Sequence, residues 1–547
     1  MKMLAFVLPS LVAAFCFIAI SSCSKADLAQ REQHAQSPKP VAGGALVWAV
    51  ATEPLCFDPH RSSQQDAVWI TRNYIDSLIS RNQDGSYAPW LAQSWSITDD
   101  GTRYTFNLRT DVHFTDGTPF DANAVKANFD YIVMQASTAT ASASLLQSLD
   151  HTEVVAPYVV RLVMKQADFT MLASLSDVRL GFISPKALAK NSNLCDGGPG
   201  LVGTGPFVFS SYQRGGAAVL TRNPDYRWAP ANAQHQGAAW LERVTYRFLP
   251  AATARMAAIT AGQADIAEGM QATDLAASDR THGFQSLTGP SASTSFALYV
   301  NYTVSPADDF HVRRALRDGF DLDAIVSSVY LGAVRRAWSN IGPDNPDYNA
   351  ELKDTWGNDV KEANRLLDES GWRTRDSEGY RMRDGKRLTL EVGYPGATAL
   401  DKVDVLLKAI RTALRQNIGL DLDLHRTAAS DGALPSWDMP GDEGFFYGAI
   451  RDPDAGIVDT IGRARRLPED DRRHKLLAFA QKRAVDEALI VPLVVPSYHL
   501  AVRPSVHGVG FGASPDGPAS AYDAWVDRQK APTVESFSPS TSLKQID

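Results

Sequence analysis

The chain has 547 residues, 44% of them hydrophobic and 21% charged, with 38 Gly and 30 Pro spread along it. That is an ordinary globular composition, and it excludes collagen-like, coiled-coil and wholly disordered chains. A formal charge of −8 with no long basic run excludes a partner held by its phosphate backbone, so no nucleic-acid binding is expected.

Met1-Lys2 opens a stretch from Met3 to Ile20 that carries no charge. It nearly reaches the ~20 residues of a bilayer-spanning helix, so a membrane anchor has to be weighed. The residues directly after it favour export with cleavage. Ile20-Ser21-Ser22-Cys23 sets small residues before a cysteine at the end of the apolar run. That order resembles the lipobox of bacterial lipoproteins, in which the cysteine becomes the lipidated first residue; the alternative is a plain secretory signal cut elsewhere. Residues 1–22 are then the lipoprotein signal peptide and 23–42, polar and Pro-bearing, a tether. Both alternatives put the protein outside the cytoplasm, in the periplasm or at the cell surface, and lipid on Cys23 would anchor it to a membrane. Residues 531–547, rich in Ser and Pro, read as a disordered tail. Cys56 and Cys195 remain for the body, where an oxidising compartment permits one disulfide, a buried free thiol being the plainer alternative.

Beyond the tether, Ala45 to Val50 is a short apolar run ended by Glu53-Pro54 and reads as a buried strand. Ala67 to Ser80 has helical spacing. Trp95 to Leu108 alternates around Asp99-Asp100-Gly101, a hairpin with Tyr104, Phe106 and Leu108 on one face. Asp121 can cap a helix over Ala122 to Met134, and strands are expected from Glu153 to Met164. Gly203-Thr204-Gly205-Pro206 turns into a strand to Phe209; Thr253 to Ala261 reads as a helix, and Ser295 to Asn301 as a strand. Helices are then expected over 312–319, 322–330, 360–370, 402–418 and 473–487, with strands over 388–393 and 489–495. The mixture favours α/β units with antiparallel pieces.

Enzyme signatures are largely missing. Gly198-Pro199-Gly200-Leu201-Val202-Gly203 formally matches GxGxxG, but a β-type run comes after it where a phosphate site needs a helix N-terminus. No GxxxxGK[ST], HExxH or GxSxG occurs, and there is no Cys/His cluster with zinc spacing. Asp265 and Glu268 are spaced like paired carboxylates on a helix, yet their Gly-rich context favours a strand and turn. No catalytic residue, metal ligand or cofactor is assigned, and the chain is not expected to be an enzyme.

Three motifs in order carry a family resemblance. Pro89-Trp90-Leu91-Ala92-Gln93-Ser94-Trp95 is followed by Asp99-Asp100-Gly101-Thr102-Arg103-Tyr104-Thr105-Phe106, and then by Val112-His113-Phe114-Thr115-Asp116-Gly117-Thr118-Pro119-Phe120. Val202 to Phe207, Arg222 to Tyr226, Gly262 to Ile266, Val312 to Leu316 and Ala363 to Leu367 continue the pattern across most of the mature chain. It resembles bacterial solute-binding protein family 5, the dipeptide, oligopeptide and nickel-binding extracytoplasmic receptors of ABC importers. The resemblance implies an α/β, two-lobed periplasmic-binding-protein fold of type II with an extra subdomain in the first lobe. Lobe I would take 43–295 plus 500–530, with the subdomain at about 82–198, and lobe II 296–499. Two crossovers would let the lobes close on a ligand.

The resemblance also implies where ligand contacts lie. Peptide-binding members carry a "W-x-x-D-x-x-DP" segment with an aromatic platform and an aspartate for the ligand's amino group. Aligned on Asp452-Pro453, this chain has Phe446 at the aromatic place and Ala449 where that aspartate would stand. An ammonium buried without an opposite charge is costly, so the usual peptide anchor is missing unless Asp442 or Glu443 replaces it. Arg451 offers a donor fork for a carboxylate or phosphate instead. Glu53, Gln64, Asp66, Tyr299, Asn301 and Trp338 are further candidates for the cleft, with core packing as the competing role for the aromatics. Only Ala455 to Asp470 separate Asp454 from the next helix, where the family carries a longer segment. The expected function is a monomeric receptor delivering a peptide, another small polar solute or a metal chelate to a separate ABC permease and ATPase. The alternatives are a sensor or chaperone-like protein on the same fold, or a secreted hydrolase.

Overall fold

In the computed structural model, residues 39–62, 65–82, 84–134, 140–190, 193–270, 283–291, 295–395, 402–427, 437–438, 455–511 and 519–527 are described. Ala45–Val50 forms the centre of a seven-stranded sheet in the order 285–291, 497–502, 266–268, 45–50, 243–248, 217–222, 207–213. It runs parallel to its two neighbours, and the outer pairings are antiparallel. Alternation sets the inward face: Leu46, Trp48 and Val50 are buried, as are Val244, Tyr246 and Phe248 opposite them. Trp48 stacks on its cross-strand partner Tyr246 at 5.7 Å.

An antiparallel four-stranded sheet, 92–97, 103–108, 159–164 and 149–156, forms the added subdomain, and the helix Ala122–Met134 packs on it. Tyr104, Phe106 and Leu108 point inward as the alternation predicts, and Asp121 Oδ1 accepts from Ala124 N at 2.9 Å as the cap. Cys56 and Cys195 are joined by a disulfide between this region's two flanks.

The helical spacing over 67–80 gives way to a helix of only Gln65–Thr71, with the strand Ile79–Arg81 after it. The reason lies at Asn73 and Tyr74. Their carbonyls accept from Phe207 N and Gly205 N at 3.0 and 3.1 Å, so they are not available to a continuing helix. The buried Asn73 side chain binds Trp69 O and accepts from Ala521 N. The Gly-Thr-Gly-Pro segment passes so close that a Cβ on Gly203 would sit 1.9 Å from Tyr74 O.

A second core is built from Ala297 to Val494. Its sheet runs 335–336, 490–495, 296–300, 437–438, beside a parallel pair 389–395 and 421–427. Four of its helices start on aspartates whose carboxylates accept from backbone N–H groups two or three residues on: Asp309, Asp321, Asp359 and Asp470. The chain passes from the first sheet to the second between 291 and 296 and returns between 495 and 497. Ser291 pairs with Ser497 and Phe296 with Val494, so the crossovers lie side by side. The two-lobed α/β architecture with an extra subdomain is the one observed.

Candidate functional site

Trp437–Asp438 is the edge strand next to Phe296–Val300, with Asp438 opposite Tyr299 and Trp437 opposite Val300. Residues 439–454 lead from that edge to the helix Ala455–Arg465. Phe446, Ala449, Arg451, Asp452, Asp442 and Glu443 fall in this segment and lie outside the described residues, as do Gln64 and Cys23. Asp66 is in the short helix Gln65–Thr71.

Tyr299 is only 6% exposed, and burial pushes its phenol well above the ordinary range. Asn301, half-buried, comes just after the strand. Its Oδ1 accepts from Thr303 N at 3.2 Å and Thr303 Oγ1 at 2.6 Å, which makes an Asx turn. Trp338 is at the far edge of the same sheet, where Ala337 N donates to Leu493 O at 3.1 Å. The Arg336 guanidinium lies 3.5 Å from the centre of the Trp338 ring and 4.7 Å from that of Trp356, and it also binds Asp323 and the Trp356 carbonyl. One face of Trp338 is therefore taken by a cation of the chain itself. Glu53, half-buried, stands beside the first core. Its Oε1 accepts from Tyr212 OH at 2.6 Å and Gly215 N at 2.7 Å, which ties the end of the first strand to the 207–222 hairpin. Burial, then the bond to Glu53, pushes the Tyr212 phenol up to about 12.

Tyr299 thus lies in the four-stranded sheet, Asn301 just after its strand Phe296–Val300 and Trp338 just beyond its edge strand Arg335–Arg336, while Glu53 is on the opposite body. Sequence reasoning missed Arg336, which covers one face of Trp338. Arg336 ends the two-residue strand Arg335–Arg336 and Trp338 lies just beyond it, so no strand alternation in the sequence pointed to their contact. Asp265 and Glu268 are structural. Asp265 Oδ2 accepts from Val47 N and Glu268 Oε1 from Ala51 N, both at 2.8 Å, in the strand-and-turn setting expected of them. Gly198–Gly200 is a 3-10 turn before the strand Phe207–Gln213, so the GxGxxG match opens no helix. Among the described residues no group of three or more His, Cys, Asp or Glu is set to hold a metal, and no helix is long and apolar enough to cross a membrane.

The model of the bacterial extracellular solute-binding proteins, family 5 Middle, matches residues 86–447. The nickel-binding periplasmic protein of Escherichia coli (strain K12) is 26% identical over 512 residues, 87% of this chain and 93% of that protein. The crystal structure of NikA from Brucella suis in complex with Fe(III)-EDTA superimposes with a TM-score of 0.74 at 25% identity, covering 88% of this chain and all of that one (100%). The oligopeptide-binding protein AppA from Bacillus subtilis, in complex with a nonapeptide, gives a TM-score of 0.75 at 19% identity. It covers 89% of this chain and 100% of its own, and it shares the fold.

Proposed function

The chain belongs to the bacterial extracellular solute-binding proteins of family 5, and from that membership we propose that it captures a small solute between its lobes and delivers it to an ABC importer permease. Lobe I takes 43–295 plus a return segment that begins with the strand Ser497–Val502, slightly before the expected 500, and runs to about 530, with the subdomain at about 82–198; lobe II takes 296 to about 496. The observation that carries the reading is the pair of adjacent crossovers. Two short spans side by side bend together, so the lobes close as bodies on whatever lies between them. Binding is reversible, with no covalent step and no resident cofactor, and the receptor acts as a monomer. Export ends with lipid on Cys23; in that case Cys23→Ser moves the protein from the membrane fraction to the soluble one.

Charge selects the solute class. Ala449 replaces the acid that would hold a peptide's ammonium, and Arg451 brings a guanidinium two residues later. A carboxylate-bearing solute, free or as a metal chelate, fits that exchange better than a zwitterionic peptide does. The nickel-binding relative and the chelate held by NikA of Brucella suis agree with this class.

The test is native mass spectrometry of the protein purified without denaturation, followed by thermal shift with Fe(III)-EDTA, nickel–histidine and short peptides. A solute at 100 times its dissociation constant stabilises by about 2.7 kcal/mol. A chelate hit that Arg451→Ala abolishes is the expected result. Peptides binding equally well to parent and Arg451→Ala would overturn the solute class, and retention of nothing in either assay would overturn the receptor reading.

A further inference from the structure

The Asp99-Asp100-Gly101 turn fixes a neighbouring loop as well as reversing its own strand. Asp100 Oδ1 accepts from Thr98 Oγ1, Thr102 N and Thr102 Oγ1 at 2.6, 3.0 and 2.7 Å. Gly101 has φ +64°, and a Cβ there would lie 2.6 Å from Phe169 Cε2, so only glycine both makes the turn and seats the Phe169 ring. Asp168 N donates to Gly101 O at 3.2 Å, and the Tyr104 hydroxyl donates to Asp168 O. Asp168 Oδ1 in turn accepts from Thr170 N and Oγ1 at 2.9 and 2.6 Å. Tyr104 and Asp168 are both buried. Residues 166–170 are thereby a rigid ledge on the subdomain sheet.

What the ledge grips belongs to the other core. Phe169 N donates to Arg465 O at 2.8 Å. Arg465 ends the helix Ala455–Arg465, whose Ile457 and Ile461 are part of the second core. The last carbonyls of a helix lack partners within it, and the ledge supplies one. Beside it the exposed Arg466 Nη1 donates to Gln166 Oε1 at 3.2 Å. The Gln147 amide oxygen, in the orientation its neighbours require, accepts from Arg465 Nη2 at 3.0 Å.

We propose that the 166–170 ledge is a latch that holds the second lobe by this helix and sets how much of the ligand-free protein is closed. The inference rests on the closing-receptor reading. Opening releases the Phe169–Arg465 and Gln166–Arg466 bonds while the crossovers bend. The gripped helix begins directly after the segment carrying Phe446 and Arg451 in the sequence. The shortened stretch 455–470 is then the part that reaches the subdomain.

Amide hydrogen exchange and small-angle scattering on the whole protein, without ligand, test it. The Phe169 amide is expected to be protected. In Gln166→Ala/Arg466→Ala it should exchange about tenfold faster, the effect of losing a hydrogen bond to a charged group, and the radius of gyration should rise. Gln166→Glu, which turns the contact into an ion pair, should slow the same amide. Unchanged protection across Arg103–Leu108 shows that the subdomain stays folded in each variant. Free-loop exchange at Phe169 in the parent would overturn the proposal. So would faster exchange in the double variant with no change in radius. Neither readout uses a ligand, so failure to capture any solute would refute the receptor reading without deciding the latch.

Discussion

Asp76 is fully buried in the first core, where Thr204 Oγ1 and Trp228 Nε1 donate to its Oδ2 at 3.0 and 3.1 Å. Burial dominates and pushes the carboxyl up to about 7 from 3.8, against those two bonds and the Arg72 guanidinium, which favour its charge. The folded state therefore keeps a proton that the unfolded chain releases. The group costs nothing below the unfolded value, and its penalty grows as pH rises to the folded one. Asp76→Asn removes that dependence while keeping an acceptor. Denaturant unfolding should show the variant gaining about 3 kcal/mol on the parent between pH 5 and pH 8. A stability difference that does not move with pH would show that Asp76 is ionised in the core. The buried Arg255 is held largely by backbone carbonyls. It donates to those of Leu249, Pro250, Glu268 and Gly269, which spreads its charge over backbone dipoles.

Elements with strong periodicity were legible in the sequence, and so were their starts. The hairpin around Gly101 and the helices opening at Asp121, Asp321 and Asp359 arise from alternation, turn chemistry and capping, all of which are local. The helix expected over 67–80 was not legible in its true extent, because its end is set by Gly205 and Phe207, over a hundred residues away. The site divides the same way. Tyr299, Asn301 and Trp338 can be named from the chain, but the sheet whose strands position them depends on pairings of 296–300 and 335–336 with the distant strand 490–495. Two glycines put the packing of these elements to the test. A Cβ on Gly205 would meet Tyr74 Cα and C at 2.6 and 2.5 Å, backbone atoms that cannot swing away, so Gly205→Ala should cost about 1–3 kcal/mol. Gly462, inside the helix Ala455–Arg465 with nothing within 4 Å of an added Cβ, should gain about 1 kcal/mol as alanine. Chemical denaturation of both variants checks this, and a loss at Gly462 or a gain at Gly205 would contradict the packing described.

Across the molecule, the Cys56–Cys195 disulfide closes a stretch of 139 residues that contains the whole added subdomain, and both cysteines sit beside the first core. Phe57 N donates to Cys195 O at 3.1 Å, and Phe57 packs edge-on to Phe209 at 5.1 Å, so the bond joins segments already in register. In the chain-entropy account a loop of that length is worth about 5 kcal/mol, and removing a native bridge typically costs about 2–5 kcal/mol. The loss should not be uniform. The second core, Ala297 to Val494, has no residue inside the closed loop and meets the first lobe through the two crossovers and the surface contacts of the 166–170 ledge. Cys56→Ser/Cys195→Ser should therefore lower protection of the Ala45–Val50 and Arg103–Leu108 amides in native-state hydrogen exchange while leaving those of Val403–Ile418 unchanged. Equal loss in both regions would mean that the lobes unfold as one unit despite their separate cores. A bridge that holds the first lobe alone also suits a protein whose lobes have to move as bodies, since it stiffens one of them and leaves the crossovers free to bend.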